Sequence, residues 1–184
     1  QLGEVFVYAI PDLAQLDSEA ALLPPGSEGL VVQDHFQGNR TPYTDAGSRG
    51  ALVGLSLSHG RAHVFRAMIE SICFGTRSIL DTMTQAGVNV DEIVIGGGAS
   101  RSPLWVQIHA DTAYRPVKVT KVADAPVLGS AILAAVGAGE FPDIDAGIEA
   151  MVGIDHIVEP DPASASAYAE IQDRYTRLYG ALKG

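Results

Sequence analysis

Residues 92–105 read Glu-Ile-Val-Ile-Gly-Gly-Gly-Ala-Ser-Arg-Ser-Pro-Leu-Trp, and this order leaves the backbone few options. Glu92-Ile93-Val94-Ile95, with its β-branched run, predicts a short buried strand. Three consecutive glycines, Gly96, Gly97 and Gly98, interrupt any regular element. Ser102 and Pro103 then open a helix, because proline at the first helical position forfeits no hydrogen bond. A strand that turns through glycines into a helix is the building unit of an α/β domain.

The flanking sequence extends that pattern. A short amphipathic helix is expected between Pro11 and Leu23, closed by Pro24-Pro25-Gly26, with a strand of mixed burial from Gly29 to Phe36. From Gln37 to Gly50 the glycines, proline and short polar residues predict a surface loop whose side chains bond their own backbone. A long helix follows, capped by Ser58 and running to about Ala86. Its core face carries Val64, Phe65, Met68, Ile69, Ile72, Cys73, Ile79, Leu80 and Met83 at three- and four-residue spacing, and Gly87 ends it. After the glycine loop, Val117 to Val122 alternates as a strand, and Pro126 opens a helix to about Ala138. Pro162 opens a last helix with Tyr168, Ile171, Tyr175, Leu178 and Leu182 along one seam. The order of elements predicts helices packed on a sheet.

The glycine loop has two readings. Its N–H groups at a helix start favour phosphate or the polar edge of a nucleotide, and glycine allows close backbone approach; alternatively the glycines only make a tight turn. Two other nucleotide patterns are absent. No Gly-x-x-x-x-Gly-Lys-Ser/Thr occurs, and Arg101 stands where the dinucleotide pattern needs its last glycine. A hydrolase elbow fails because Ser58 follows Gly54-Leu55-Ser56-Leu57 in place of glycine. His59 and His63, four apart, suit either a metal-dependent hydrolase or local hydrogen bonds. Arg66 and Glu70 read as an intrahelical pair contributing a few tenths of a kcal/mol. Ser130, Ala134 and Gly137 give one helix face small residues, for close packing within a domain or at a hinge.

A formal charge of −10, from 22 acidic and 12 basic residues without long single-sign runs, argues against nucleic acid or an anionic membrane as the main partner. With 184 residues, 47% apolar, the chain has the size of one globular domain. Cys73, the only cysteine, permits no intramolecular disulfide and no zinc site of several thiolates, which suits a reducing, cytoplasmic setting. No apolar run approaches the roughly 18 residues of a membrane helix. A start at Gln1 in place of Met suggests an excised piece.

Five segments, in order and spacing, resemble the C-terminal domain of FGGY-family carbohydrate kinases: Gly38-Asn39-Arg40-Thr41-Pro42, residues 54–59, residues 66–70, residues 96–105, and residues 125–131. The resemblance runs from about Asp12 to about Phe141. It implies an α/β, ribonuclease-H-like domain of the actin and hexokinase superfamily, with a mixed sheet flanked by helices. Residues 1–184 would then form the nucleotide-binding domain, incomplete at its N-terminal side, of an enzyme that uses ATP and Mg2+ to phosphorylate a sugar. Within the family, the chain resembles pentulose kinases such as ribulokinase-like members.

By the same resemblance, Gly97, Gly98 and Ala99 lie against the adenosine and α-phosphate side of the nucleotide, and Ser102 lies near the adenine. Trp105 is a packing residue. Asn39 replaces the glutamate of the family's Gly-Glu-Arg-x-Pro loop. The sugar, the phosphate loops and the catalytic base belong to the upstream half, so no catalytic residue is assigned here and the isolated chain is expected to be inactive. The alternative is a non-catalytic nucleotide-binding or interaction module. Truncation is also expected to leave a surface for a partner or a second copy.

Overall fold

The computed structural model describes residues 12–183. Helix α1 spans Leu13–Ala21, and its N-cap Asp12 accepts from the Ala14 N–H at 2.9 Å; Pro11, where the sequence places its start, lies outside the described residues. A 3-10 turn at Ser27–Gly29 leads into strand β1, Val31–Gln33, which pairs antiparallel with β2, Ala51–Val53. Helix α2, Arg61–Gln85, is the longest element. Then follow β3 (Ile93–Ile95), α3 (Pro103–Ala113), β4 (Val117–Thr120), α4 (Ala125–Gly137), α5 (Ile144–Met151), β5 (Ile154–Val158) and α6 (Pro162–Leu182). Strands β3, β4 and β5 form a mixed sheet in that order, β3 parallel and β5 antiparallel to β4.

Helix α3 joins two apolar clusters. On one side Val106 and Ala110 pack with Val117 and Val119 of β4, backed by Ile93, Ile95 and Val158. On the other, Ile108, Leu104 and Trp105 meet Ile69, Cys73 and Phe74 of α2 and Tyr168 and Tyr175 of α6. Being held from both sides, α3 fixes where the glycine loop ends.

Several expectations change once the chain is folded. Gly60, not Ser58, caps α2, and the Gly60 N–H donates to His63 Nδ1 at 3.1 Å, while the Ser58 hydroxyl bonds Ser56 Oγ at 2.8 Å. Met68, Ile72 and Met83 leave the core and are exposed, because α2 is covered along only part of its apolar circumference. The strand expected from Gly29 to Phe36 shrinks to three residues, since Ser27 and Glu28 adopt positive φ and hold Gly29 in the preceding turn. Strand β3 is only half buried, with Val94 51% exposed and Ile93 and Ile95 packed against the Val106–Val117 cluster. Leu182 at the end of the α6 seam is exposed.

Strands β2 and β5 and helix α5 carry no clear signal in the sequence. Close approach near α4 is provided by Gly147 of α5, where a Cβ would stand 2.8 Å from Ile132 Cγ2, while Gly137 faces open space.

Arg66 and Glu70 depart most from expectation. Both are buried, at 5% and 1% exposure. Arg66 Nε donates to Glu70 Oε1 at 2.8 Å, and its two terminal nitrogens donate to the Ala20 carbonyl at 3.0 Å and the Tyr168 hydroxyl at 2.8 Å. The Tyr168 hydroxyl donates to Glu70 Oε1 at 2.9 Å, and the carboxylate also accepts the Gly26 N–H at 2.9 Å and the Ser27 hydroxyl at 3.0 Å. Every member is satisfied, the condition under which a buried ion pair is tolerated. The cluster fastens α1, α2, α6 and the 3-10 turn to one another.

Candidate functional site

The glycine loop is shaped by three residues with three different demands. Gly96 passes close to the β4–α4 connection: a Cβ there would lie 3.1 Å from Thr120 Oγ1 and 3.3 Å from Ala125 Cβ. Gly97 adopts φ +84 and ψ −166, a region open essentially to glycine alone, and its N–H donates to the Ala123 carbonyl at 2.5 Å. Gly98 has no positive φ, and a Cβ on it would meet nothing within 4 Å. Residues 98–101 then make one 3-10 turn ahead of α3.

The polar groups of the loop divide into used and unused. The Gly97 carbonyl accepts from the Ser100 N–H at 3.3 Å and the Ser100 hydroxyl at 2.8 Å, and the Ala99 carbonyl accepts from the Ser102 N–H at 3.1 Å. The N–H groups of Gly98 and Ala99 find no acceptor among the described residues. Two adjacent free donors on an exposed glycine turn suit an anion or the polar edge of a planar ligand. Ser102 caps α3 by accepting the Trp105 N–H at 3.0 Å and donates its own proton to Asp17 Oδ1 at 2.5 Å. The structure thus brings Gly97, Gly98, Ala99 and Ser102 into one turn, and adds two residues that the sequence did not flag, Asp17 and Thr120. Asp17 lies 85 positions from Ser102, and no local pattern announces it.

The remaining candidates are tied up locally. His59 Nδ1 accepts the Ser56 N–H at 2.9 Å, and His63 Nε2 stands 3.3 Å from Glu28 Oε2. Among the described residues no group of three or more histidine, cysteine, aspartate or glutamate side chains is arranged to hold a metal ion. Asn39 turns inward, with Nδ2 at 2.9 Å from His35 Nε2 and Oδ1 accepting the Tyr43 N–H at 3.1 Å, so it braces the 37–50 loop. Trp105 packs in the main cluster. Behind the loop, burial lowers the His109 imidazole from 6.5 to about 4 and raises the Asp111 carboxyl. Asp111 accepts Gln107 Nε2 and the Asp161 N–H, each at 2.8 Å, and so fastens the start of α6 to α3.

The family model for the C-terminal domain of FGGY carbohydrate kinases matches residues 8–138. The chain belongs to the FGGY family. Among curated FGGY relatives, the xylulose kinase of Staphylococcus epidermidis is 34% identical over 164 residues, covering 89% of this chain and 33% of its own length. The ribulokinase of Bacillus licheniformis is 34% identical over 170 residues, covering 89% of this chain and 31% of its own. The crystal structure of xylulose kinase from Rhodospirillum rubrum superposes with a TM-score of 0.81 at 31% identity, over 98% of this chain and 36% of that one. The FGGY chain described here therefore spans about a third of the length of the relatives it matches. Its fold is that of the FGGY sugar kinases, with the mixed sheet and flanking helices expected from the sequence. Among the described residues, no helix is long and apolar enough to cross a membrane.

Proposed function

We propose that this chain is the nucleotide-binding part of an ATP-dependent pentulose kinase, which transfers the γ-phosphate of ATP to a sugar hydroxyl in the cytoplasm. The carrying observation is the turn at Gly97–Ala99 inside an FGGY-family domain: a Cβ on Gly97 or Gly98 would meet nothing within 4 Å, and the Gly98 and Ala99 N–H groups have no acceptor among the described residues. Gly97, Gly98 and Ala99 would take the adenosine and α-phosphate side of the nucleotide, and Ser102 would border the adenine. The fit is steric as well as polar: a ligand can approach Gly98 without meeting a side chain.

ATP supplies the transferable phosphoryl group. Positioning it in line with a sugar hydroxyl, and accepting the hydroxyl proton, require groups beyond this nucleotide wall. Mg2+ would accompany the nucleotide phosphates; among the described residues no group of three or more histidine, cysteine, aspartate or glutamate side chains is arranged to hold it. The names of the similar xylulose kinase and ribulokinase support a pentulose as acceptor.

Titration of the chain with ATP, ADP and inorganic phosphate by calorimetry tests the reading. Saturable binding of both nucleotides that phosphate does not imitate is expected, and no heat with any nucleotide up to millimolar concentration would remove it.

A further inference from the structure

Residues 97–102 are tied to segments outside the loop and its own helix by two hydrogen bonds among the described residues. One is Gly97 N–H to the Ala123 carbonyl, and the other is the Ser102 hydroxyl to Asp17 Oδ1. The N–H groups of Gly98 and Ala99, which have no acceptor among the described residues, lie between these two anchors. The first anchor is backbone and tolerates most substitutions. The second depends on two side chains.

Asp17 is itself rigidly placed. Its neighbours Leu16 and Ala20 are buried at 3% and 0% exposure, and the Ala20 carbonyl is held by the buried Arg66 guanidinium at 3.0 Å. Glu19 of the same helix pairs with Arg61 at 2.5 Å. A carboxyl acceptor on a helix whose inner face is packed sets the direction of the Ser102 O–H. With its one proton committed to Asp17, the Ser102 oxygen keeps its lone pairs for the Trp105 N–H and for the loop's open side.

We infer that Asp17 is a positioning residue for the nucleotide loop: through Ser102 it holds the exit of the turn so that the Gly98 and Ala99 N–H groups converge on the ligand. This rests on the nucleotide reading above. It adds a residue outside the loop, on a different helix, whose effect is transmitted by a single hydroxyl. Loss of that anchor leaves the packed start of α3 and the Gly97 N–H bond to hold the loop, frees the Ser102 end of the turn from α1, and lowers the preorganisation of the two donors.

The test is a mutant cycle on the 184-residue chain with two readouts, ATP affinity by calorimetry and amide hydrogen exchange of residues 97–102 without ligand. Asp17→Ala and Ser102→Ala should each weaken ATP about three- to tenfold and speed exchange in the loop. The double variant should be no weaker than the worse single one, because both remove the same bond. Asp17→Asn should keep most of the affinity, since its amide oxygen still accepts the Ser102 proton. A merely structural aspartate would lower thermal stability of Asp17→Ala while ATP affinity and loop exchange match wild type, and that result overturns the inference. Additive losses in the double variant overturn it as well. If the wild-type chain binds no ATP, the nucleotide reading fails, and loop exchange alone decides the anchor: unchanged exchange in Asp17→Ala refutes it.

Discussion

Gly97 and Gly98 are neighbours with opposite tolerances, and the difference separates ligand binding from folding. Gly97 sits at φ +84, where any side chain is strained, whereas Gly98 has an ordinary φ and open space around it. Gly98→Val should therefore leave thermal unfolding within a degree or two of wild type while weakening ATP about tenfold or more, because the branched side chain occupies the approach to the N–H pair. Gly97→Ala should instead cost about 1–3 kcal/mol of stability, read by urea unfolding, as expected for a residue forced into a sparsely populated backbone region. Equal ATP affinity in wild type and Gly98→Val would take the loop out of the nucleotide site.

Helices α1, α2 and α6 are joined less by apolar seams alone than by the Arg66–Glu70–Tyr168 cluster. Removing the carboxylate leaves the guanidinium buried without a counter-charge, so Glu70→Ala is expected to lose about 3–5 kcal/mol in urea unfolding. Tyr168→Phe, which deletes one hydroxyl that both accepts and donates, should lose about 1–3 kcal/mol. Helix α3 adds a pH dependence. Burial keeps His109 neutral down to about 4, while in the unfolded chain it takes its proton near 6.5. Between those values the unfolded state binds the extra proton, so the stability that the neutral imidazole permits is present above 6.5 and is lost as pH falls toward 4. Wild type should lose about 1–2 kcal/mol more between pH 7 and pH 5 than His109→Gln does, a window that lies above the ordinary range of carboxylates. Parallel slopes in the two proteins would show that His109 is protonated without penalty.

At the scale of the molecule, the described residues present apolar side chains that the other described elements leave exposed. Leu57 is fully exposed at 108%, Leu55 and Leu133 stand at 60%, and Val127 at 65%. Such surface on a chain spanning a third of its relatives' length is expected to associate with further sequence or with itself. Light scattering should show a molecular weight that rises with concentration, and a strictly monomeric species at high concentration would count against this. On the proposed function, the chain alone should also show no sugar-dependent ATP hydrolysis with D-xylulose or L-ribulose in a coupled assay, since binding a nucleotide without in-line positioning of the acceptor gives little acceleration. Turnover by the purified chain would mean that it carries more of the reaction than one wall.

What could be read from residues alone was local stereochemistry. The strand, glycine turn and Pro103 helix start, the long α2, the Pro126 and Pro162 helix starts and the Gly87 stop follow from side-chain period and from the φ that proline and glycine impose. Those constraints act within a few residues and need no partner, and the ordered motifs carried the family with them. Three acid–base pairs share the spacing of four along a helix: Arg66–Glu70, Arg77–Asp81 and Asp173–Arg177. Only the first is buried, because only there do α1, α6 and the 3-10 turn close over it. Strand β5, whose side chains are largely exposed, exists through its pairing with β4 and not through any periodicity of its own. The Asp17–Ser102 bond spans 85 positions, a contact made by packing α1 and α3 against the same long helix. Local pattern placed the glycine loop for which nucleotide contact is proposed; burial and long-range hydrogen bonding, which depend on what folds over each residue, set how firmly that loop is held.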